Sequence, residues 1–142
     1  MMLLNVMIAS ALMVITTAIH ASSMLLTVQV LVPANAHIKY HKRQKHLLAV
    51  AGVVLVLFLV SVIEVLIWSL TYLWLGALEH FEEAAYFSMV TFTTLGYGDI
   101  VLTDQWRLLA SFEAANGIIM FGWTTAIVLA VVQRLYFNVK PS

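Results

Sequence analysis

Apolar residues run almost unbroken through three stretches of the chain, about Leu3 to Val32, Leu47 to Leu75 and Leu108 to Val132. Each exceeds the ~20 residues with which a helix crosses ~30 Å of hydrocarbon. The second carries a single acid, Glu64, and the third carries Glu113. Lipid offers the backbone no hydrogen bonds and a helix satisfies its own, so the pattern predicts three transmembrane helices. Their expected bounds are 1–32, 47–76 and 106–135. Met1 to Asn5 holds no Lys or Arg, and the first apolar run outlasts a signal-peptide core, so this helix is expected to be retained.

Between the second and third stretches the pattern changes. Residues 81–93 are apolar and aromatic, but at ~1.5 Å per residue they reach only ~20 Å, too short to span. Glu82 and Glu83 sit where a helix N-terminus favours negative charge. The run 94–99 follows, and Gly96 and Gly98 keep it out of regular helix. A short helix with a non-helical return is a re-entrant loop, tolerated at membrane depth only where protein buries it or where it lines water. The fold class expected is therefore an all-α membrane protein, with three transmembrane helices plus a re-entrant pore helix and loop.

Composition sharpens this reading. Hydrophobic residues make up 63% of the 142 positions and charged residues 10%, against about 45–50% and about 25% in soluble domains. Net charge is zero and cysteine is absent, which removes a nucleic-acid surface, a disulfide framework and a thiolate metal site. Four of the seven basic residues, Lys39, Lys42, Arg43 and Lys45, fall in the loop 33–46. The positive-inside rule makes that loop cytoplasmic, with the N-terminus outside and the tail 136–142 inside. The same four residues suit anionic lipid headgroups, although topology signalling explains them equally well.

The 94–99 run carries the candidate chemistry. A dehydrated cation needs oxygens in place of its water, and backbone carbonyls supply them if successive ones face one axis. That requires alternating twist, cheap at glycine. Gly96 and Gly98 are spaced to provide it, and Thr94 adds a hydroxyl. Four copies around an axis would give rings of oxygens.

Thr93-Thr94-Leu95-Gly96-Tyr97-Gly98-Asp99 resembles the signature of the potassium-channel pore family. Trp106-Arg107, Gly117 and Phe121-Gly122 resemble the inner helix of small bacterial two-helix potassium channels; residues 1–32 would be an extra helix. The resemblance covers about Leu47 to Val132, within an expected pore domain of 47–135. It implies a homotetramer in which Thr94, Leu95, Gly96, Tyr97 and Gly98 form the potassium filter, with Thr93, Tyr86, Phe87 and Asp99 behind it. K+ at the filter would be the only metal, and no cofactor is implied. Leu95 stands where valine is commonest, and Tyr86 and Phe87 where tryptophans are frequent. Val90 replaces a glutamate that some bacterial members pair with the filter aspartate. A Tyr86–Asp99 hydrogen bond is the brace expected instead.

The resemblance places a hinge at Gly117, with Gly122 a second candidate; close helix packing is the other reading of both. Ile118, Phe121, Gly122, Thr125, Ala126 and Leu129 share a face that would line the cavity and, near Leu129, the inner constriction. Glu64 and Glu113 are each read as a proton sensor or as a buried hydrogen-bonding group, the latter preferred. His20 reads as a packed residue, and the first helix is expected to pack on the outer helix. The function expected is passive potassium conduction. A weakly selective cation channel and a subunit of a potassium transporter are the alternatives. No nucleotide loop, zinc pair or nucleophile–base spacing suggests an enzyme.

Overall fold

A computed structural model describes residues 2–31 and 43–137. It contains the helices α1 (Met2–Leu31), α2 (Arg43–Trp74), α3 (Phe81–Phe92) and α4 (Arg107–Val132), and α4 continues into a π turn at Gln133–Phe137. Among the described residues there is no strand. Three helices are long and apolar enough to cross a membrane, and α3 is the short re-entrant one. The loop bearing Lys39 and Lys42 lies outside the described residues, as do the side chains of Arg43 and Lys45.

The long helices bury one stripe each and leave the rest apolar and exposed, as Leu55, Phe58, Leu59 and Ile63 of α2 do. In water such a surface would drive aggregation; in a bilayer it faces lipid or other copies. α1 and α4 run parallel, since Asn5 meets Gln105, Thr16 meets Asn116 and His20 meets Thr124. α2 runs against them: His20 reaches Glu64, while Leu31 lies against Gly52.

The main core joins all four helices through Leu12, Val65, Trp68, Tyr72, Phe87, Phe92, Leu109 and Met120. A smaller cluster of Val53, Leu57, Val131 and Leu135 ties the other end of α2 to the end of α4. α1 packs on α2 and to the same extent on α4. The expected contact with the outer helix is present, and α4 is a second partner. The reason is its buried face: Asn5, Thr16 and His20 interrupt the apolar stripe of Ala9 and Leu12, and they meet Gln105 just before α4, and Asn116 and Thr124 of α4.

Candidate functional site

The loop begins where α3 runs out of helical partners. Thr93 caps α3 with its N–H bonded to Met89 O, the Thr94 N–H turns back to Thr91 O, and Leu95 and Gly96 both donate to Val90 O. Peptide N–H and C=O point in opposite directions across a trans bond, and every peptide described is trans. The carbonyls of Thr93, Thr94 and Leu95 are therefore turned away from α3, toward the open side of the subunit.

Backbone handedness alternates along this run. Thr94, Gly96 and Gly98 have φ of 59°, 55° and 79°, and the residues between them stay negative. Glycine takes this conformation freely. At Thr94 it costs about 1–3 kcal/mol, the kind of strain kept at functional sites, and residue type gave no hint of it. Residues 93–99 are all exposed in the single chain, Tyr97 by 68%.

Behind the loop the supports are specific. The Tyr86 hydroxyl donates to Asp99 Oδ2 at 2.7 Å. That bond holds the Asp99 carboxyl below its usual range and pushes the Tyr86 hydroxyl above its own. Phe87 is buried edge-on against Tyr72, with ring centroids 5.3 Å apart. Tyr86, Val90, Gly96 and Asp99 line a cleft of about 110 Å³ between α3 and the loop.

Glu113 of α4 is fully buried and ties three elements together. It accepts from the Tyr72 hydroxyl of α2 at 2.6 Å and contacts the Ser88 hydroxyl of α3, which itself reaches Val65 O at 2.9 Å. Glu64 lies apart from α3. Its Oε1 meets His20 Nδ1 at 3.0 Å, with both side chains fully buried. The two acids thus sit in separate polar clusters.

Gly117 and Gly122 differ sharply. A Cβ at Gly117 would fall 1.9 Å from Phe92 O, the last carbonyl of α3, whereas Gly122 has open space around it. Gly117 is therefore accounted for by the close approach of α4 to α3, and α4 runs through both glycines without a break. Ile118, Phe121, Gly122, Thr125 and Leu129 are exposed on one side of α4, and Phe121 also packs edge-on against Phe92 at 5.7 Å. The groups that the sequence did not single out are Tyr72, Ser88, Asn116 and Thr124. The spacing of polar residues on α1, with Asn5, Thr16 and His20 sharing a helical face, was the available signal for the last two.

The ion channel family model matches residues 60–134, over half of the chain. It takes in the C-terminal part of α2 from residue 60, the re-entrant helix, the loop and α4, and leaves α1 outside. No curated protein and no solved structure matches the chain. With apolar spanning helices, a re-entrant loop of alternating backbone and a matching family model, this membrane protein belongs to the ion channel family.

Proposed function

We propose that the chain forms a potassium-selective channel as a homotetramer, each copy giving one strand of the filter. The observation that carries this is the loop backbone: handedness alternates at Thr94, Gly96 and Gly98, while Val90 O holds the Leu95 and Gly96 N–H groups. Carbonyls directed away from α3 on each of four strands would form stacked rings that replace a cation's water. The Thr94, Leu95, Gly96 and Tyr97 carbonyls and the Thr94 hydroxyl are the ligands proposed, with Gly98 shaping the outer end. One strand cannot enclose an ion, so cyclic assembly follows from the function.

In that assembly the exposed side of α4, with Ile118, Phe121, Thr125 and Leu129, lines the cavity. The C-terminal end of α3 aims its partial negative charge at that cavity. Gly122, free of close neighbours, is the better hinge. The loop enters from the outer side and the basic segment 33–46 stays cytoplasmic, where it can meet anionic headgroups.

The test is reconstitution in liposomes with opposed potassium and sodium gradients. A reversal potential close to the potassium equilibrium value, with block by barium, is expected. A reversal potential near zero would make the pore a weakly selective cation channel. A purified tetramer that passes no potassium at any pH or voltage would overturn the proposal.

A further inference from the structure

α1 lies outside the family match, yet it holds the chain on both sides of the loop 94–99. Two polar contacts make these holds. Asn5 donates through Nδ2 to the carbonyl of Gln105, in the turn that carries the chain from Asp99 to α4. Asn116 of α4 donates to Thr16 Oγ1 at 2.9 Å. Asn5 and Thr16 are buried on α1, and Asn116 is fully buried on α4. Among the described residues this is the one hydrogen bond of the Asn116 side chain, since its Oδ1 meets no donor.

The two contacts are in register. Each joins residues 100 apart in sequence. Asn5 to Thr16 on one side and Gln105 to Asn116 on the other therefore span the same number of positions, about three helical turns or ~16 Å. Whole turns return a side chain to the same face, so one face of α1 presents both Asn5 and Thr16. Beyond Thr16 the register is lost, because His20 meets Thr124, 104 positions on. The matched stretch is thus the half of α1 that lies beside the loop.

Each hold reaches the loop by a short path. Asn116 directly precedes Gly117, where a Cβ would fall 1.9 Å from Phe92 O. Fixing Asn116 against Thr16 therefore fixes how α4 meets the last carbonyl of α3, just before Thr93 and Thr94. On the other side, Gln105 closes the segment that follows Asp99. Leu102 and Trp106 of that segment are buried in one core with Ala9 and Leu12 of α1, and Arg107 Nε donates back to Leu102 O at 3.2 Å.

We propose that α1 is a strut for the loop 94–99, with Asn5 and the Thr16–Asn116 pair as positioning residues that set where its two ends stand. Coordination by close placement needs such support from behind. The proposal rests on the channel reading above for its effect on ion selectivity, and not for its effect on the loop.

Two readouts test this on the full chain in liposomes. The first is the potassium-to-sodium permeability ratio from reversal potentials. The second is amide hydrogen exchange across residues 93–106, compared with residues 53–60 of α2, which needs no conduction. Asn5→Leu and Thr16→Val each remove one hydrogen bond with little change of volume. Each is expected to lower the permeability ratio and to raise exchange at 93–106 about fivefold, the equivalent of one net hydrogen bond, while exchange at 53–60 keeps the parent rate. Asn5→Gln, which retains the donor, should restore most of both. Asn116→Leu should match Thr16→Val, and the two together should do no more than either alone, since they break the same bond. Parent values of both readouts in Asn5→Leu and Thr16→Val would overturn the strut. So would a rise in exchange shared equally by 53–60, which marks general loosening. Should the parent pass no potassium, or pass it without selectivity, while exchange at 93–106 still rises in both variants, the strut stands and the channel reading fails.

Discussion

Gly117→Ala tests how α4 positions the filter. The added methyl would sit 1.9 Å from Phe92 O and 2.8 Å from Phe92 C. Ordinary contact begins about 1.5 Å farther out, and neither partner is a side chain that could rotate away. Either α4 backs off or the end of α3 is pushed. Overpacking a filled interior costs about 1–3 kcal/mol, and a backbone-to-backbone clash belongs at the upper end. Functional loss should exceed the loss of stability. Phe92 stands directly before Thr93 and Thr94, and the Thr94 N–H hangs on Thr91 O at 2.9 Å. A shift of an ångström at Phe92 is therefore passed to the first carbonyls of the proposed filter, where ion coordination would depend on close placement. Potassium flux into liposomes, with the assembly state followed by size exclusion, is the assay. The expected result is a flux reduced about tenfold or more, at ~2–3 kcal/mol of lost stability. A Gly117→Ala protein with the parent's stability and flux would refute the packing account and return Gly117 to the hinge reading.

Gly122→Ala is the counterpart: with nothing near its Cβ position it should gain about 1 kcal/mol of helix propensity while lowering open probability, checked by thermal stability and single-channel recording. Tyr72→Phe leaves Glu113 Oε2 without the hydroxyl that meets it at 2.6 Å and should cost about 1–3 kcal/mol; Glu113→Gln, which still hydrogen-bonds, should cost less than Glu113→Ala in the same unfolding assay. Tyr86→Phe removes the bond to Asp99 and should speed filter inactivation in macroscopic currents. Because that bond lowers the Asp99 carboxyl, the brace is complete above the ordinary carboxylate range and is lost as the pH at the loop falls below that range. The parent should show that acid step, and Tyr86→Phe should lack it.

Much of the architecture was legible because lipid imposes a plain rule. Long apolar runs had to be spanning helices, and a 12-residue helix, Phe81–Phe92, could not span. Gly96 and Gly98 declared their backbone, since their positive φ is what glycine is for. Thr94 did not, because threonine normally avoids φ near 59° and is held there by the α3 carbonyls that its own and the following N–H groups bond. Gly117 shows the opposite failure. A glycine in an apolar helix reports only that a side chain is absent. Whether the space serves bending or a neighbour depends on where Phe92 lands, and that contact spans 25 residues of sequence.

The polar residues of the membrane interior obey the same distinction between need and partner. Asn5, Thr16, His20, Glu64 and Glu113 each announce that a partner must exist, because an unpaired polar group in hydrocarbon is costly. Their spacing places them on particular helix faces. It does not say that Glu113 would find α3 and α2 while Glu64 found α1. That choice is set by the antiparallel run of α2 against α1, which brings Glu64 level with His20 and leaves Tyr72 level with Glu113. The two acids thus divide the bundle. Glu113 fixes the half that carries the loop 94–99, through α3. Glu64 fixes the half that carries Gly122, through α1. An ion channel whose filter must stay still while its inner helix moves gains from such a separation, since strain at one cluster is not forced on the other. The double variant Glu64→Gln with Glu113→Gln should therefore show additive effects on stability, within ~0.5 kcal/mol of the sum of the singles. A larger departure would mean that filter and gate share one network.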